Sequence, residues 1–467
     1  MRNFIIGVLL ILLLMSTSAC DVNVTPAPAT QESATPTTLS VVSPTTEPRL
    51  TDTPTTVIQS ATATLPIVAA DCPTPSIVST VANATGVITI GVSVPLDGGD
   101  LSAGQAISIA VRLAVEQANA RGGITLGGDI YALQLLVLDD FRPIQAERLE
   151  AVRRNANDFV REPNLLGVVG PYNSQVAHTM QPIFNKESLV LISPSNTDPS
   201  LTIEDPGVVQ WLESHRPEGR DHLTYFRIST TDLTQGAEAA HFLRDDLNKA
   251  KISILYEDDT YGQTLAIQVQ KGFEALGGNS LGSTLVMTST DLSSSIANQH
   301  PDALFYGGTT ANYPAQLGSW MNDYGLKIPL VGGDGIREKV FIEKYVTNDG
   351  GGLQEANGIY ATLATADVEH LDTGKQFVAE YNQRFCNADL GAYSASAYDA
   401  TNILIAAIEA AGKPDREAVR QAIANTKNFQ GVLGPIGFDA EGDNTQPWVS
   451  IYKVENGEWK FLKQVKR

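Results

Sequence analysis

Cysteine and histidine are scarce in this sequence, and both scarcities narrow the chemistry that it can support. Its 467 residues include three cysteines and six histidines. The histidines show no spacing typical of zinc ligands, and three cysteines are too few for a disulfide-rich scaffold. We therefore predict no metal site and no cofactor, and we expect His178, on a predicted helix, to pack against its neighbours.

Motifs of familiar enzymes are missing as well. The chain contains no H-E-x-x-H metal motif and no P-loop. Two pairs of adjacent acids, Asp139-Asp140 and Asp258-Asp259, come nearest to paired catalytic carboxylates. Because neighbouring residues of a strand point to opposite faces, we interpret the first pair as helix caps, and we interpret the second as a solvated turn. The sequence predicts a protein that is not an enzyme.

Positive charge and long apolar runs are also in short supply. Lys and Arg number 32 against 52 Asp and Glu, which gives a formal net charge of −20. A nucleic-acid-binding protein needs a basic face, so we predict no nucleic-acid partner. Beyond the N-terminus no apolar run reaches the roughly 20 residues that cross a bilayer. These features are typical of a soluble exported protein, which we expect to be a monomer.

The N-terminus carries the one long apolar segment. A basic residue precedes an apolar run from Phe4 to Met15, and small residues then lead to Cys20. This pattern resembles a bacterial signal peptide, residues 1–19, that ends in a lipobox. It predicts lipidation of Cys20 and anchoring to the outer face of the cytoplasmic membrane. Thr17 stands in place of the usual leucine, so an ordinary signal peptide cut nearby is the alternative.

Residues 20–85 read as a stalk, because Thr, Pro, Ser, Ala and Val dominate them without a helical or strand period. Such a segment cannot bury enough apolar surface to offset its ordering entropy. We predict a disordered spacer with a reach of roughly 45 Å; a leader without a mechanical role is the alternative. Cys72 lies in this segment. In an oxidising compartment it could pair with Cys386, or both thiols could stay free.

The rest of the chain has a globular composition and exceeds what one hydrophobic core usually holds, so two domains are expected. Short apolar runs alternate with helical patterns, around 144–161, 262–277, 312–324 and 394–412 among others. The predicted strands are 87–94, 133–139, 165–170, 188–193, 251–256, 302–308, 328–333 and 358–364. Apolar strands separated by helices indicate buried parallel sheets with right-handed crossovers. We predict an α/β protein with two doubly wound parallel-sheet lobes.

The loops after these strands are where a ligand is expected, since ligands of doubly wound sheets bind beyond the carboxyl ends of the strands. They read Pro-Tyr-Asn-Ser at 171–174, Pro-Ser-Asn-Thr at 194–197, Glu-Asp-Asp-Thr-Tyr-Gly at 257–262 and Asp-Gly at 334–335. Small hydroxyls, aromatic rings and acids suit recognition of a solute rather than catalysis.

Eight fragments in order resemble the Leu/Ile/Val-binding-protein-like solute receptors of ABC transporters, which have the type I periplasmic-binding fold. They are GQAISIAVRLAVEQANARGGI at 104–124, GPYNS at 170–174, LISPSNTDPSLT at 191–202, DDTYGQ at 258–263, FYGG at 305–308, GGDG at 332–335, SAYDATNIL at 396–404 and GPIGFD at 434–439. The resemblance covers most of residues 86–467. It implies a first lobe of 86–227 with 365–427 and a second of 228–364 with 428–467, joined by a three-strand hinge.

The function that the resemblance implies is solute binding for an ABC importer. An amino acid, with the branched-chain type favoured, or a related small polar solute would bind between the lobes, which would close by hinge motion. A permease would recognise the closed form, and its partner ATPase would supply the energy. The alternative is a sensor that presents its closed form to a signalling receptor. A third interpretation is an adhesion or scaffold domain with a vestigial cleft.

The same resemblance assigns roles to four polar residues. Ser174 would donate its hydroxyl to the α-carboxylate of the ligand. Thr197 would meet the carboxylate with its backbone N–H and the α-ammonium with its hydroxyl. Ser195 would offer its carbonyl oxygen to the ammonium, and Asp334 would pair with it. A zwitterion taken out of water needs partners for both charges, and hydroxyls with one acid provide them.

Two aromatic residues complete the predicted site. Tyr261 would close over the ligand from the second lobe, and Tyr393 would lie beside the side chain of the ligand. Each predicted residue also has an ordinary structural interpretation: Ser174 as a helix cap, Thr197 and Asp334 as turn residues, the tyrosines as packed rings. Their joint occurrence at successive strand ends favours a binding site.

The sequence departs from the family pattern at four places. Ala103 stands where relatives often have an aromatic residue, which predicts a wider pocket wall. Asp334 is shorter than the glutamate of the branched-chain binders, so a water could mediate its contact with the ammonium. Asn173 replaces a cysteine that forms a disulfide in some members. Residues 203–222 look like an insertion, which we interpret as a surface excursion, with a border of the cleft as the alternative.

Overall fold

Two β-sheets flanked by helices organise the part of the chain that the structure describes. The computed structural model describes residues 81–204, 211–286, 294–309, 313–346, 356–386 and 388–467. The predicted signal peptide, Cys20, Cys72 and nearly all of the predicted stalk lie outside these residues. Cys386 is disulfide-bonded, and its partner is not among the described residues, which contain no other cysteine.

The first sheet has six strands in the order β2-β3-β1-β4-β5-β6. They are β1 (Gly86–Val94), β2 (Ile124–Leu126), β3 (Asp129–Asp139), β4 (Leu165–Val169), β5 (Val190–Ser193) and β6 (Tyr225–Arg227). All neighbours pair in parallel except β2 and β3. The connecting helices are α1 (Leu101–Ala120), α2 (Gln145–Arg161), α3 (Ser174–Lys186) and α4 (Trp211–His215). The residues of β1 from Ile88 onward are all buried, as expected for a strand covered on both faces.

The second sheet has seven strands in the order β15-β14-β11-β10-β9-β7-β8. They are β7 (Lys251–Glu257), β8 (Asn279–Val286), β9 (Ala303–Gly307), β10 (Leu330–Gly332), β11 (Ile359–Leu363), β14 (Trp448–Glu455) and β15 (Glu458–Lys466). The helices along this part of the chain are α5 (Asp232–His241), α6 (Thr260–Ala275), α7 (Ser294–Asn298), α8 (Pro314–Asp323) and α9 (Lys339–Val346). Strands β7 to β11 pair in parallel, whereas β14 and β15 are antiparallel to their neighbours.

The chain passes between the two sheets three times. It leaves the first sheet after β6 and returns after β11 to form α10 (Lys375–Arg384), α11 (Ser394–Ala411) and α12 (Arg416–Ala424). Buried side chains of these helices belong to the core of the first sheet. A small hairpin of β12 (Phe429–Gly431) and β13 (Gly434–Ile436) then leads to β14 and β15. The predicted α/β fold with two doubly wound lobes and a three-strand hinge is confirmed; the exact lobe boundaries stay a prediction.

Three strands of the second sheet were absent from the sequence-based expectation. β8 is an edge strand with several exposed residues, so it lacks the continuous apolar run of a buried strand. β14 and β15 form a hairpin whose turn residues, Asn456 and Gly457, both have positive φ. That geometry is typical of a tight turn between antiparallel strands. The second sheet is therefore mixed rather than wholly parallel.

The expectation that Asp139 and Asp140 cap a helix is wrong. Helix α2 follows Ile144, and no side chain caps it. Asp139 Oδ1 instead accepts hydrogen bonds from the backbone N–H groups of Leu96, at 2.8 Å, and Phe141, at 3.0 Å. Asp140 Oδ2 accepts one of 3.0 Å from the hydroxyl of Ser93. The two carboxylates therefore tie together the ends of β1 and β3.

His178 packs against His215, as expected, and also makes hydrogen bonds, whereas the interpretation of the insertion is corrected. The Nε2 atom of His178 lies 2.7 Å from Oδ2 of Asp198, and its Nδ1 atom lies 2.9 Å from Nε2 of His215. His215 belongs to α4 in the insertion, where Trp211 is only 2% exposed and donates its indole N–H to the carbonyl of Ser200. The helical part of the insertion is thus packed against the 198–202 segment rather than standing out from the surface.

Candidate functional site

A cavity lies where loops from both sheets converge. It encloses about 430 Å³ of empty space, including its open mouth. The lining residues are Arg148, Tyr172, Asn173, Ser174, Gln175, Ser195, Thr197, Asp259, Thr260, Tyr261, Thr309, Asp334 and Gly335. Most of them follow β4, β5, β7, β9 and β10, in agreement with the rule that ligands bind beyond the carboxyl ends of parallel strands. Five of the six predicted ligand residues line this cavity. The sixth, Tyr393, does not line it but donates a hydrogen bond to Asp334.

Ser174 is the first residue of α3 and is 3% exposed. Asn173 occupies the capping position, and no side chain caps the helix. The Oγ atom of Ser174 instead accepts a hydrogen bond of 3.4 Å from the backbone N–H of Asp198. Because the first N–H groups of a helix have no partner within it, this end of α3 offers donors to a ligand in the cavity.

Ser195 and Thr197 lie on the next loop. The hydroxyl of Ser195 donates to the carbonyl of Tyr172 at 2.9 Å, so it faces the protein. The Oγ1 atom of Thr197 is buried and makes no well-formed hydrogen bond among the described residues, although it lies near enough to Asp232 to favour the charged form of that carboxyl. An unsatisfied buried hydroxyl costs free energy, so Thr197 is suited to gain a partner from a ligand.

The backbone before Ser174 depends on a glycine. Gly170 has a φ of 118°, a backbone conformation that residues other than glycine rarely adopt. A Cβ atom at this position would lie 2.2 Å from the carbonyl oxygen of Ser93. Gly170 therefore lets β4 turn sharply against β1 and bring Tyr172 and Ser174 to the cavity.

Asp334 is the acid at the centre of the site. Its Oδ1 atom accepts hydrogen bonds from Nε2 of Gln235, at 2.8 Å, and from the Tyr261 hydroxyl, at 3.1 Å. Its Oδ2 atom accepts one of 2.8 Å from the Tyr393 hydroxyl. Burial raises the pKa of Asp334, and these donors oppose the rise. Asp334 is thus held in place by neutral donors and has no cationic partner among the described residues.

The two predicted tyrosines differ in position. Tyr261 lines the cavity, and its oxygen also accepts the backbone N–H of Gly335 at 3.0 Å. Tyr393 is 2% exposed and packs edge-on against Tyr172 at 6.4 Å between ring centroids. The structure therefore places Tyr393 behind Asp334, where it supports the carboxylate rather than lining the cavity wall.

Arg227 supports the ligand loop and was not anticipated. It is fully buried at the end of β6 and donates to the carbonyl oxygens of Asp198, at 2.7 Å, and Asn196, at 3.3 Å. Its Nε atom lies 2.6 Å from Oδ1 of Asp443. A lone arginine at the end of a buried apolar strand was the only sequence signal for this role.

Arg148 was also missed. It reaches from α2 to line the cavity beside Asn173, whose Oδ1 atom accepts from its Nη2 at 2.6 Å. Behind it, the buried carboxylate of Asp140 lies 3.5 Å from Nη2. Burial raises the pKa of Asp140 to about 6, although Arg148 opposes the rise. In the sequence Arg148 is one of several charged residues on an amphipathic helix, so nothing distinguished it.

Asp259 corrects the prediction of a solvated turn. Its Oδ1 atom caps α6 by accepting the backbone N–H of Gly262 at 2.6 Å. It also lines the cavity next to Thr260. Burial raises its pKa to about 6, whereas the hydrogen bond from Gly262 and the charge of Arg148 lower it. The carboxylate of Asp259 thus both caps α6 and lines the cavity.

Glu338 forms another contact between the two halves of the fold. It precedes α9, and its carboxylate lies near enough to the backbone of Ala392, next to α11, for that group to favour the charged form and lower its pKa. It is 4% exposed. Burial raises its pKa to about 7, against the opposing charge of Arg337.

The groups around the cavity are suited to recognising a small polar solute. Within the described ranges no group of three or more His, Cys, Asp or Glu side chains could hold a metal ion. No helix in those ranges combines the length and apolarity needed to cross a membrane. Hydroxyls, helix N–H groups, an arginine and carboxylates surround the cavity, and such groups can pair with both charges of a small zwitterion.

The sequence of this chain is similar to that of a known protein family and to those of individual proteins. The sequence model of a periplasmic binding protein family matches residues 87–458. A Leu/Ile/Val-binding protein homolog from Brucella abortus is 27% identical over 386 residues, which cover 81% of this chain and 94% of the relative. The Leu/Ile/Val-binding protein BraC3 of Rhizobium johnstonii is 26% identical over 378 residues, 79% of this chain and 92% of its own.

Solved structures show the same fold. A leucine-binding protein, LivK, from Thermotoga maritima superposes with a TM-score of 0.68 at 23% identity, covering 81% of this chain and 99% of its own. LivJ from Streptococcus pneumoniae, solved in complex with isoleucine, gives a TM-score of 0.67 at 22% identity over 82% and 100% of the two chains. Because the family match extends across most of its length, this chain belongs to the periplasmic binding protein family.

Proposed function

We propose that this chain is the extracytoplasmic solute-binding component of an ABC importer and that its cavity binds an amino acid. The observation that carries the proposal is the convergence of Ser174, Thr197 and Asp334 on one cavity. The names of the similar proteins, which include Leu/Ile/Val-binding proteins and a leucine-binding protein, support the same solute class and make the branched-chain amino acids the first to test.

The charges of the site support a zwitterion. The N-terminus of α3 and the Ser174 hydroxyl provide neutral donors for a carboxylate, and the helix dipole favours a negative charge there. Asp334 provides the negative charge for an ammonium, and Thr197, in the same lining, has a buried hydroxyl that makes no well-formed hydrogen bond among the described residues. A zwitterion would thus exchange its hydration for partners of both signs, which burial of a charged solute requires.

Hinge closure is the mechanism that we propose. We retain the division into a first lobe, 86–227 with 365–427, and a second lobe, 228–364 with 428–467. Under this division the hydrogen bond from Tyr393 to Asp334 crosses between the lobes. A ligand ammonium at Asp334 would draw the acid of one lobe toward the loops of the other. The permease would then recognise the closed form.

A thermal-shift screen of the purified chain against the common L-amino acids tests the proposal. A ligand at 100 times its dissociation constant should add about 2.7 kcal/mol to the free energy of unfolding. Asp334→Ala should abolish the shift, whereas an exposed control, Tyr324→Phe, should leave it unchanged. Failure of every amino acid to shift the wild-type protein would refute the proposal. Binding without uptake by the reconstituted transporter would favour the sensor alternative.

We further propose that the chain is anchored through a lipid on Cys20, with the stalk as spacer and a Cys72–Cys386 disulfide near its end. The lipobox-like pattern before Cys20 and the disulfide-bonded state of Cys386 support these assignments. Cys20→Ser should move the protein from the membrane fraction to the soluble fraction of cells. Cys72→Ser should release one thiol that reacts with maleimide at Cys386; retention of the disulfide would show a different pairing.

A further inference from the structure

The cavity has a second wall beyond the residues that a zwitterionic head group would occupy. If Ser174, Ser195, Thr197 and Asp334 hold the charged head of an amino acid, its side chain must face the remaining lining. That remaining wall consists of Arg148, Tyr172, Asn173, Gln175, Asp259, Thr260, Tyr261, Thr309 and Gly335. The composition of this wall therefore decides which side chains fit.

The wall is polar. Among the residues that the structure describes, those lining the cavity include no Leu, Ile, Val, Phe or Trp. The apolar surface comes from the rings of Tyr172 and Tyr261. A branched aliphatic side chain would meet tyrosine rings but no aliphatic partner in this wall, and it would strip water from polar groups without giving them partners.

Two charged groups of opposite sign, Arg148 and Asp259, line this wall. Each has an atom that makes no hydrogen bond among the described residues. Arg148 uses Nε and Nη2 for its contacts with Asp140 and Asn173, and its Nη1 atom has no hydrogen-bond partner among the described residues. Asp259 uses Oδ1 to cap α6, and its Oδ2 atom is likewise without a described hydrogen bond. Both groups line the cavity; the charge of Arg148 lowers the pKa of Asp259, whereas the charge of Asp100 raises it.

A side chain with a single charge would satisfy one of these groups and oppose the other. A carboxylate would pair with Arg148 but repel Asp259, and an ammonium would do the reverse. A neutral planar amide avoids the conflict, because its carbonyl oxygen accepts from a guanidinium and its NH2 group donates to a carboxylate. Hydrogen bonds to charged partners are the stronger kind, so both ends of such a group contribute.

We propose that the cavity selects an amino acid whose side chain ends in a carboxamide or ureido group, with Arg148 and Asp259 as the residues that determine this specificity. The inference rests on the proposed amino-acid-binding function. It replaces the branched-chain preference that the names of the relatives suggest.

Calorimetric titration with matched ligands tests this selection. The side chains of asparagine and leucine have nearly the same shape, so this pair of ligands contrasts a polar with an apolar side chain. Glutamine, glutamate and lysine compare a neutral amide with the two single charges. We expect asparagine or glutamine, or the ureido amino acid citrulline, to bind at least about tenfold more tightly than leucine, glutamate and lysine, as expected for one unpaired charged partner.

Variants assign the effect to the two residues. Arg148→Met and Asp259→Asn should each lower the ratio of amide affinity to leucine affinity about tenfold or more. Asparagine at 259 retains the oxygen that caps α6. Arg142→Met is the matched control, because Arg142 is 42% exposed, pairs with Asp139 and does not line the cavity. The ratio of amide to leucine affinity within each variant is the readout, since a partly unfolded sample does not change it.

The outcomes separate this inference from the function on which it rests. Binding of leucine at least as tightly as the amide ligands would overturn the inference and leave amino-acid binding intact. Equal losses for leucine and amide in both variants would also overturn it, because they would show a structural effect. Absence of binding by every amino acid would remove the proposed function and this inference together.

Discussion

The Tyr393 hydroxyl donates a 2.8 Å hydrogen bond to Oδ2 of Asp334, and this contact joins the two halves of the fold at the candidate site. Tyr393 stands directly before α11, whose side chains are part of the core of the first sheet. Asp334 follows β10 in the second sheet. The acid that we assign to the ligand ammonium is therefore held by residues from both sides of the cavity.

Tyr393→Phe should weaken ligand binding without unfolding the protein. The substitution keeps the ring against Tyr172 and removes the hydroxyl that donates to Asp334. A hydrogen bond to a charged group contributes about 1.5–3 kcal/mol, so we expect about a tenfold rise in the dissociation constant, measured by calorimetric titration. Tyr324→Phe, at a ring that is 45% exposed, is the control. An unchanged affinity in Tyr393→Phe would contradict a role in closure.

Asp334→Asn separates charge from shape at the same position. The amide keeps an oxygen for Gln235 or Tyr261, but it loses the negative charge and places an NH2 group against one of three donors. We expect the affinity for a zwitterion to fall by about 3–5 kcal/mol, the cost of breaking a buried ion pair. Titration with an amino acid and with its deaminated 2-hydroxy analogue makes the test specific. Equal losses for both ligands would show that Asp334 does not pair with the ammonium.

The position of the site was predictable from the sequence because of sheet geometry. Parallel strands end at one edge, so hydroxyls and acids that follow successive apolar runs meet there. Ser174, Thr197 and Asp334 were identified in this way, with help from the family resemblance, and all three line the cavity.

Residues that reach the site from elsewhere were not predictable. In the sequence Arg148 looks the same as Arg153 and Arg154 on the same helix, yet those two side chains are 55% and 60% exposed, whereas Arg148 lines the cavity. Only tertiary packing distinguishes them. The prediction for Asp259 was wrong for a related reason. A turn residue and a helix cap share one sequence pattern, and Arg148, which lines the same cavity, is distant in the chain.

Arg227→Met should destabilise the fold as well as the site. Arg227 is fully buried and ion-paired with Asp443, and it holds the carbonyl oxygens of Asn196 and Asp198. Removing one partner of a buried pair costs about 3–5 kcal/mol, which urea denaturation would detect as a lower midpoint. Asp443→Asn with Arg227→Met should recover part of the loss, because the second change removes the unpaired charge. A double variant less stable than the single one would contradict this account.

Stability should fall as the pH rises through neutrality, and Glu338 should carry part of the effect. Burial raises the pKa of Glu338 from 4.5 to about 7, so the folded state binds a proton that the unfolded state has released. The stabilising contribution is complete below pH 4.5 and is lost as the pH rises through 7. Burial also raises the pKa values of Asp140 and Asp259 to about 6 and of Asp399 to about 7, and these carboxyls act in the same direction.

Glu338→Gln isolates the part that Glu338 contributes. Glutamine has nearly the same shape as glutamate and does not titrate. Between pH 6 and pH 8 the wild-type free energy of unfolding should fall by about 1 kcal/mol more than that of the variant, which corresponds to one proton released over this range. Denaturant titrations at the two pH values measure the difference. Glu343→Gln, at a side chain that is 55% exposed, should keep the wild-type slope. A parallel pH dependence in wild type and Glu338→Gln would contradict the prediction, because it would show that Glu338 does not titrate between pH 6 and pH 8.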